Sequence, residues 1–387
     1  MELDRILFFI SSLRQGGAEH HLLDLCRYLK RASIAPTVCT LSPDEGGLET
    51  TLFAEEISLL RLPLTSLRDL ARPRAIRSLR RIMRNVRPQV IHSHLFHAEV
   101  VSFLGALFTD IPLIVTRHSA GLEFGGWRRL FPRVGAGRID TVVAVSSEAA
   151  DEAIALGHPR DRVVVVPNAV DTSRFRPLEE RERVERRSSA LQELFPDVEP
   201  ASCLVVGAVG GLKPVKNFPL FLRVASRIVR GRPPELPPVR FVILGEGGER
   251  ERLEHLAAQL GIKRYLAMPG HYPNPEEMYG LFDLFVLTSV REGVPIVLLE
   301  AMASGISCVA SDVGGVRDLI GGTGIPVASG DEDGFVRAVG GLLSDHGARS
   351  ERARSARVRA LEYYDIEIWG ERMLRLYRES RERRRSR

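Results

Sequence analysis

Two glutamates separated by seven residues, Glu292 and Glu300, stand within the stretch from Phe282 to Ile320. An apolar run ending at Ser289 precedes them and reads as a buried parallel strand. Pro295 suits the first turn of a helix, because its missing N–H would have had no intrahelical partner. Ile296 to Ser304 are good helix formers, and Gly305 is placed to end the helix in a left-handed cap. A second buried strand, Ser307 to Ser311, follows, then a Gly-Gly loop and another short helix. Glu292 therefore falls in a loop at the carboxyl end of a parallel strand, where open α/β sheets bind ligands. The backbone from Gly293 and Val294 through Pro295, Ile296 and Val297 opens the helix, and its free N–H groups with the helix dipole make an anion site. Glu300 lies about one and a half turns further on, where its oxygens could accept from a diol. A carboxylate, an anion pocket and a second carboxylate in series suit a sugar, a diphosphate and a ribose.

The elements that must position these groups follow a strand–helix rhythm, which implies parallel sheets with helices on both faces. In the first half, strands are expected at Arg5–Ile10, Pro36–Leu41, Val90–His92, Leu113–Thr116, Thr141–Val145 and Arg162–Val166. Ser11–Gly17 is a glycine-ended loop before a helix over Ala18–Lys30, and Gly16-Gly17 opens that helix where a doubly wound sheet approaches a ligand. A basic amphipathic helix over Ala75–Val86 turns Ile76, Leu79, Ile82, Met83 and Val86 inward. The charge-dense Leu178–Glu193 has helical spacing but little core, and reads as an interdomain connection with a peripheral helix. The second half repeats the pattern, with strands at Cys203–Val209 and Arg240–Leu244, the loop Gly210–Asn217, and the turn Gly245-Glu246-Gly247-Gly248. At 387 residues, two domains are the natural division.

Composition narrows the class. Hydrophobic content of 44% and charged content of 27% are those of a globular protein, and no run approaches a membrane span. The start of the chain is not a signal peptide, since its apolar core is only Ile6 to Ile10 behind Glu2 and Asp4. Cys26, Cys39, Cys203 and Cys308 have neither pairing nor metal spacing and read as buried free thiols in a reducing, cytosolic compartment. The net charge of +5 is modest, but arginines cluster between Arg68 and Arg87 and again at the end of the chain. No aromatic-interleaved RNA motif or recognition-helix pattern accompanies them, so nucleic acid is not expected as a partner. A face toward anionic lipid and a simply solvated helix both remain open.

His92, His94 and His97 are closely spaced, as zinc ligands can be, yet no Cys or Asp stands near them at ligand spacing. Asp331-Glu332-Asp333 has the form of an Asp-x-Asp metal motif, but its place before a helix makes Asp331 an N-cap. No metal site is expected.

The glutamate segment resembles the Glu-x7-Glu motif of retaining glycosyltransferases of family four, embedded between a strand ending in Ser and a strand followed by Asp312-Val313-Gly314-Gly315. The resemblance spans nearly the whole chain. It implies the GT-B fold: two Rossmann-like doubly wound α/β domains facing a cleft, with a C-terminal helix crossing back to the first. The corresponding expectation is a first, acceptor-side domain over 1–177 with the helix 366–387, a connection over 178–200, and a nucleotide-sugar domain over 201–365. It implies that Glu292 holds donor-sugar hydroxyls and Glu300 the ribose. Gly16 and Gly17 resemble the family's Gly-Gly-Ala-Glu stretch against the diphosphate, and Gly245 with Gly247 resemble a turn near the base. His118, in Val-Thr-Arg-His-Ser, matches a histidine beside the donor sugar, and Ala120–Arg138 falls where an acceptor loop would be. Pro167-Asn168-Ala169-Val170-Asp171 resembles the segment that ends the first domain.

The family's Gly-Arg-Leu-x-Pro-x-Lys appears here as Gly210-Gly211-Leu212-Lys213-Pro214-Val215-Lys216. One of two expected cations is replaced by Gly211, leaving Lys216 with Lys213 nearby. The activity implied is transfer of a sugar from a nucleoside diphosphate to an acceptor hydroxyl, without metal or other cofactor. Catalytic weight falls on His118, Lys216 and Glu292. The implied partners are a nucleotide-sugar donor and a glycan or lipid-linked acceptor; the arginine-rich helix is by its charge one candidate for a peripheral membrane contact, beside the solvated reading. A same-fold epimerase or hydrolase, and a catalytically silent nucleotide binder, are the alternatives; base, sugar and acceptor stay open.

Overall fold

A computed structural model of the chain describes residues 3–14, 16–42, 47–62, 64, 66–118, 135–199, 203–272 and 274–386, and contains two parallel sheets. The first comprises β1 (Arg5–Ile10), β2 (Ala35–Thr40), β3 (Ser58–Arg61), β4 (Val90–His94), β5 (Leu113–Arg117), β6 (Thr141–Ala144) and β7 (Val163–Val165). Their spatial order is β3-β2-β1-β4-β5-β6-β7, so the direction of strand addition reverses between β1 and β4. Phe8 of β1 lies opposite Val38 on one side and His92 on the other. Strands buried on both faces read as apolar runs rather than alternations, which is why β1, β5 and β6 stand out in the sequence. The short edge strand β3, only partly buried, carries no such signal.

The second sheet comprises β8 (Leu204–Val209), β9 (Val239–Leu244), β10 (Leu266–Gly270), β11 (Leu284–Leu287), β12 (Ser307–Ser311) and β13 (Ile325–Val327). Its order is β10-β9-β8-β11-β12-β13, with the reversal between β8 and β11. Its core gathers Phe221, Phe241, Ile243, Leu284, Val286 and Phe335 beneath the helices Phe218–Gly231 and Glu332–Ser344. Both sheets thus have the doubly wound order that leaves a ligand crevice at the strands' carboxyl ends, beside the reversal.

The chain divides into two compact units, Met1–Asn168 with Ile366–Arg387, and Ala169–Asp365. The division falls at Asn168, nine positions before Pro177 where the first domain was expected to end, because Val170 pairs with Asp365 and its N–H bonds the Tyr364 carbonyl. The expected connection carries the peripheral helix read from its spacing. Its helix Glu180–Leu194 buries only Leu191, but Arg187 reaches the Leu281 and Cys203 carbonyls and the Asp283 carboxylate, and Arg183 joins it on Asp283. Asp283 also accepts the Val205 N–H, which ties this helix to the start of β8.

The helix Ile366–Arg385 belongs to the first unit, where Tyr377 and Trp369 are buried. All four cysteines are buried free thiols. Among the described residues no helix is long and apolar enough to cross a membrane.

Candidate active site

In the second unit, the loops that follow the two strands at the reversal point carry Lys216 and Glu292. After β8 the chain turns through Gly210–Lys213 into one 3-10 turn, Pro214–Lys216, and Asn217 adopts a left-handed φ of 50° before the next helix. The end of β11 is stitched to that turn. Val290 N–H donates to Val215 O at 2.9 Å, and the Thr288 hydroxyl donates to Lys216 O at 3.0 Å. Lys216 Nζ is thereby held 2.6 Å from Glu292 Oε1, which also accepts the Ser289 hydroxyl at 2.6 Å. The side chains of both charged residues are largely withdrawn from solvent, so the contact is one preorganised carboxylate–ammonium pair with a hydroxyl on the same oxygen.

Behind Glu292 the backbone leaves no slack. A Cβ at Gly314, whose φ is +54°, would sit 2.0 Å from Glu292 O, and Gly315 N–H donates to Gly293 O at 2.9 Å. The glycine pair after β12 therefore lets that loop press directly on the Glu292–Gly293 backbone. The helix runs Ile296–Ala303 with Pro295 at the N-cap, one position earlier than the first-turn place expected for it. Pro295 O accepts from Leu298 and Leu299, and no side chain caps the end, so the first-turn N–H groups precede the intrahelical ladder. Gly305 has φ +69° and closes the helix as expected.

Glu300, one helix face further along, accepts the Tyr279 hydroxyl at 2.7 Å, and that hydroxyl also lies 3.0 Å from Val297 O. Tyr279 is fully buried among Phe175, Phe282 and Phe285, with ring centroids 5.6 to 6.0 Å away. Burial, then the Glu300 carboxylate, push its phenol well above the ordinary tyrosine value, so it stays a donor. The Tyr279 hydroxyl thus holds the Glu300 carboxylate from one side.

Gly245 and Gly247 are explained locally. At φ +141° and +155°, their Cβ atoms would lie 2.0 Å from Gly210 O and 2.5 Å from Leu212 O. They let the turn after β9 lie backbone-on-backbone against the lysine loop, and Leu212 N–H donates to Glu246 O at 2.8 Å. Gly211 differs, since a Cβ there would meet the Lys213 stem at 3.6 Å and Glu246 O at 3.7 Å, both ordinary contacts.

In the first unit, four imidazoles gather at the carboxyl ends of β4 and β5. His92 and His94 are fully buried, and β4 runs two residues past the end expected for it at His92. His92 Nδ1 is 2.8 Å from the Tyr377 hydroxyl and Nε2 is 2.7 Å from Thr116 Oγ1. His94 Nδ1 is 2.9 Å from His118 Nε2, and the two rings stack with centroids 5.2 Å apart. His21, on the helix that Gly16 and Gly17 open, lies edge-on to His118 at 5.8 Å and against Trp369 at 4.2 Å. Gly16 leaves room for the Glu19 carboxylate, which accepts the Ser12 hydroxyl at 3.2 Å. Burial holds His118 down to about 4 and His92 to about 3, and lowers His21 and His94 as well, so the group is a set of neutral rings. Among the described residues no three metal-binding side chains converge as a ligand group. Asp331 caps its helix, with Oδ1 accepting Gly334 N–H at 2.9 Å. Most of the expected acceptor loop, 120–134 with Trp127, lies outside the described residues.

The structure thus brings Lys216 and Glu292 together, puts Glu300 in the second turn of the helix that follows, and sets Gly245 and Gly247 against the Gly210–Leu212 backbone that leads into the Lys216 turn. Gly16, Gly17 and His118 belong to the first unit. Ser289, Tyr279 and His21 went unassigned in the sequence. The one hint is general: a buried tyrosine needs an acceptor for its hydroxyl.

Comparison with known proteins gives these features a lineage. The family model described as Glycosyltransferase Family 4 matches residues 15–174, and that described as Glycosyl transferases group 1 matches 203–345. A D-inositol 3-phosphate glycosyltransferase of Nocardia farcinica is 31% identical over 70% of this chain and 61% of its own length. The protein of the same name from Acidothermus cellulolyticus is 30% identical over 77% of this chain and 68% of its own. Among solved structures, Anabaena Alr3699/HepE in complex with UDP and glucose superposes with a TM-score of 0.83 at 20% identity, covering 97% of this chain and 100% of that one. A glycosyltransferase from Rickettsia africae gives 0.84 at 16% identity, over 98% and 99%. The fold is the GT-B fold, with two Rossmann-like domains, and by its sequence the chain belongs to glycosyltransferase family 4.

Proposed function

We propose that this chain transfers a hexosyl group from a nucleoside diphosphate sugar to an acceptor hydroxyl, with retention at the anomeric carbon and without a metal ion. The observation that carries this is the Lys216–Glu292–Ser289 cluster at the strand-order reversal of the second sheet, with Glu300 on the adjoining helix. Relatives with this fold have been solved with UDP and with UDP-glucose, which supports a diphosphate donor for this chain too.

In the proposed reaction the acceptor oxygen bonds to the anomeric carbon as the bond from that carbon to the diphosphate oxygen breaks. The acceptor proton passes to the departing phosphate. Lys216 and the N–H groups opening the Ile296–Ala303 helix take up the developing negative charge. Glu292 accepts from sugar hydroxyls and Glu300 from the ribose. We place the reaction in the cytosol, in assembly of a cell-surface glycan or glycolipid.

A thermal-shift panel of UDP, GDP and ADP identifies the base. Incubation of the matching sugar nucleotides with and without acceptors then separates transfer from hydrolysis or epimerisation. Product of the same anomeric configuration, formed in the presence of a chelator, is the expected result; donor consumption that needs no acceptor would replace transferase by hydrolase or epimerase. Gly211 in place of the family's arginine favours one further reading, a binder without turnover. A nucleotide-dependent rise in melting temperature with no product from any donor would establish it.

A further inference from the structure

The edge of the first sheet where its strands begin, opposite the histidines, carries an exposed apolar tip beside the end of an arginine-rich helix. The helices Pro73–Val86 and Phe96–Ala106 lead into β4 and β5, which are neighbours, so their C-terminal ends emerge side by side at this edge. They pack together there, with a Cβ at Gly105 lying 3.5 Å from Leu79 and 3.6 Å from Met83. The first helix contains no acidic residue, and Arg74, Arg77, Arg80, Arg81, Arg84 and Arg87 are exposed with no carboxylate partner among the described residues. At its end, Arg5, Arg84, Asn85, Val86 and Arg87 line a shallow depression of about 470 Å³.

The second helix ends in Leu107, 36% exposed, and Phe108, 91% exposed. Phe108 is not on a loose loop. The buried Arg138 binds the carbonyls of Ala106 at 2.7 Å, Thr109 at 3.2 Å and Ile111 at 2.6 Å, and Thr109 N–H returns to Ala106 O at 3.0 Å. The turn's one acid, Asp110, acts on Arg138. Four backbone contacts thus fix a turn whose aromatic side chain touches almost nothing.

We infer that this edge docks on an anionic phospholipid bilayer. The arginines supply attraction to the charged surface, the depression at Arg84 and Arg87 takes a headgroup phosphate, and Leu107 and Phe108 enter the boundary between headgroups and acyl chains. Charge with an adjoining apolar tip is what interfacial binding requires, and neither suffices alone. A polyanion such as RNA would satisfy the arginines but gives an aliphatic Leu beside a lone Phe nothing to bury against. The inference is independent of the donor and the chemistry. Docking through this edge leaves the opposite, carboxyl edge of the sheet open.

Flotation of the full chain with vesicles of phosphatidylcholine alone, and of phosphatidylcholine with about a third phosphatidylglycerol, tests it. The expected result is binding to the mixed vesicles only, lost at high salt because screening shortens the reach of each charge. Arg84→Gln with Arg87→Gln should weaken partitioning by about fivefold per charge removed. Phe108→Ser should weaken it about tenfold while the salt dependence is kept. Equal binding to neutral vesicles, no binding to either, or Phe108→Ser partitioning like the parent would overturn the inference. So would a duplex RNA that displaces the chain from vesicles and binds the Phe108→Ser variant as tightly as the parent.

Discussion

Lys216 Nζ lies 2.6 Å from Glu292 Oε1, and both residues hang from loops at the one place where the second sheet reverses its order. Each charge neutralises the other until an anion arrives. A diphosphate reaching Lys216 leaves Glu292 free to accept from the sugar, so the pair can exchange partners without a buried charge standing alone. Lys216→Ala should reduce turnover on the order of 10²–10³-fold, as for one preorganised donor at a developing anion. Lys216→Ala turnover within tenfold of the parent under saturating donor would remove the lysine from the reaction.

Glu300 and Tyr279 form the second test. Glu300→Ala should weaken nucleoside diphosphate binding by about 1.5–3 kcal/mol, the range for a hydrogen bond to a charged group. Glu292→Ala should lower turnover and leave that affinity nearly intact. Tyr279→Phe removes the hydroxyl behind Glu300 but leaves the ring packing, and should weaken the nucleotide by a smaller factor. Titration calorimetry on the three variants reads these effects directly; a Glu300→Ala chain that binds as tightly as the parent refutes the ribose assignment.

Gly211 is where a side chain can be added. Its Cβ would meet only ordinary contacts, one of them the Lys213 stem that lies over it. Gly211→Arg should fold normally and bind the diphosphate more tightly, and Lys213→Ala should then cost less than it does in the parent. A double-mutant cycle on diphosphate affinity measures that coupling. Gly245→Ala and Gly247→Ala are the contrast. With left-handed φ and a carbonyl inside contact distance, each should lose at least ~1–3 kcal/mol of stability from backbone strain alone.

The neutral histidine group makes stability depend on pH in a defined direction. His92 falls from 6.5 to about 3 in the folded chain, and His118 from 6.5 to about 4. Between these values the unfolded chain binds more protons, so stability is full above 6.5 and is lost as pH drops. Each such histidine removes about 1.4 kcal/mol per pH unit across its window. His21, His94 and His118 face the centre from the first helix, β4 and the end of β5, while Tyr377 and Trp369 face it from the last helix. Denaturant midpoints at pH 7.5, 6, 5 and 4 should fall steadily, and His92→Gln should flatten the slope. A midpoint independent of pH in this range would mean the rings are solvated.

Much of the fold was legible because both sheets are parallel and covered on two faces, which turns strands such as Leu284–Leu287 into unbroken apolar runs. Glu292 and Glu300 were legible for a related reason, since the strand, proline and glycine around them fix their places on a loop and a helix. Short, part-exposed strands such as Ser58–Arg61 were not, having neither length nor alternation. Nor were Tyr279 and His21. Their roles depend on which residue of a distant element arrives beside them, and no local periodicity encodes that. The buried His92 shows the same limit, because its partner Tyr377 lies 285 positions away.

That separation also bears on how the chain is made. Residues 169–365 form the second unit and are synthesised between the two parts of the first. At translation rates of about 5–20 residues per second, His92, Thr141 and the His21 ring that meets Trp369 wait on the order of ten to forty seconds for the Ile366–Arg385 helix. The unit that begins first can therefore close its core only after the one that begins second has left the ribosome. Until then its nascent form presents an unfilled groove, of the kind chaperones hold.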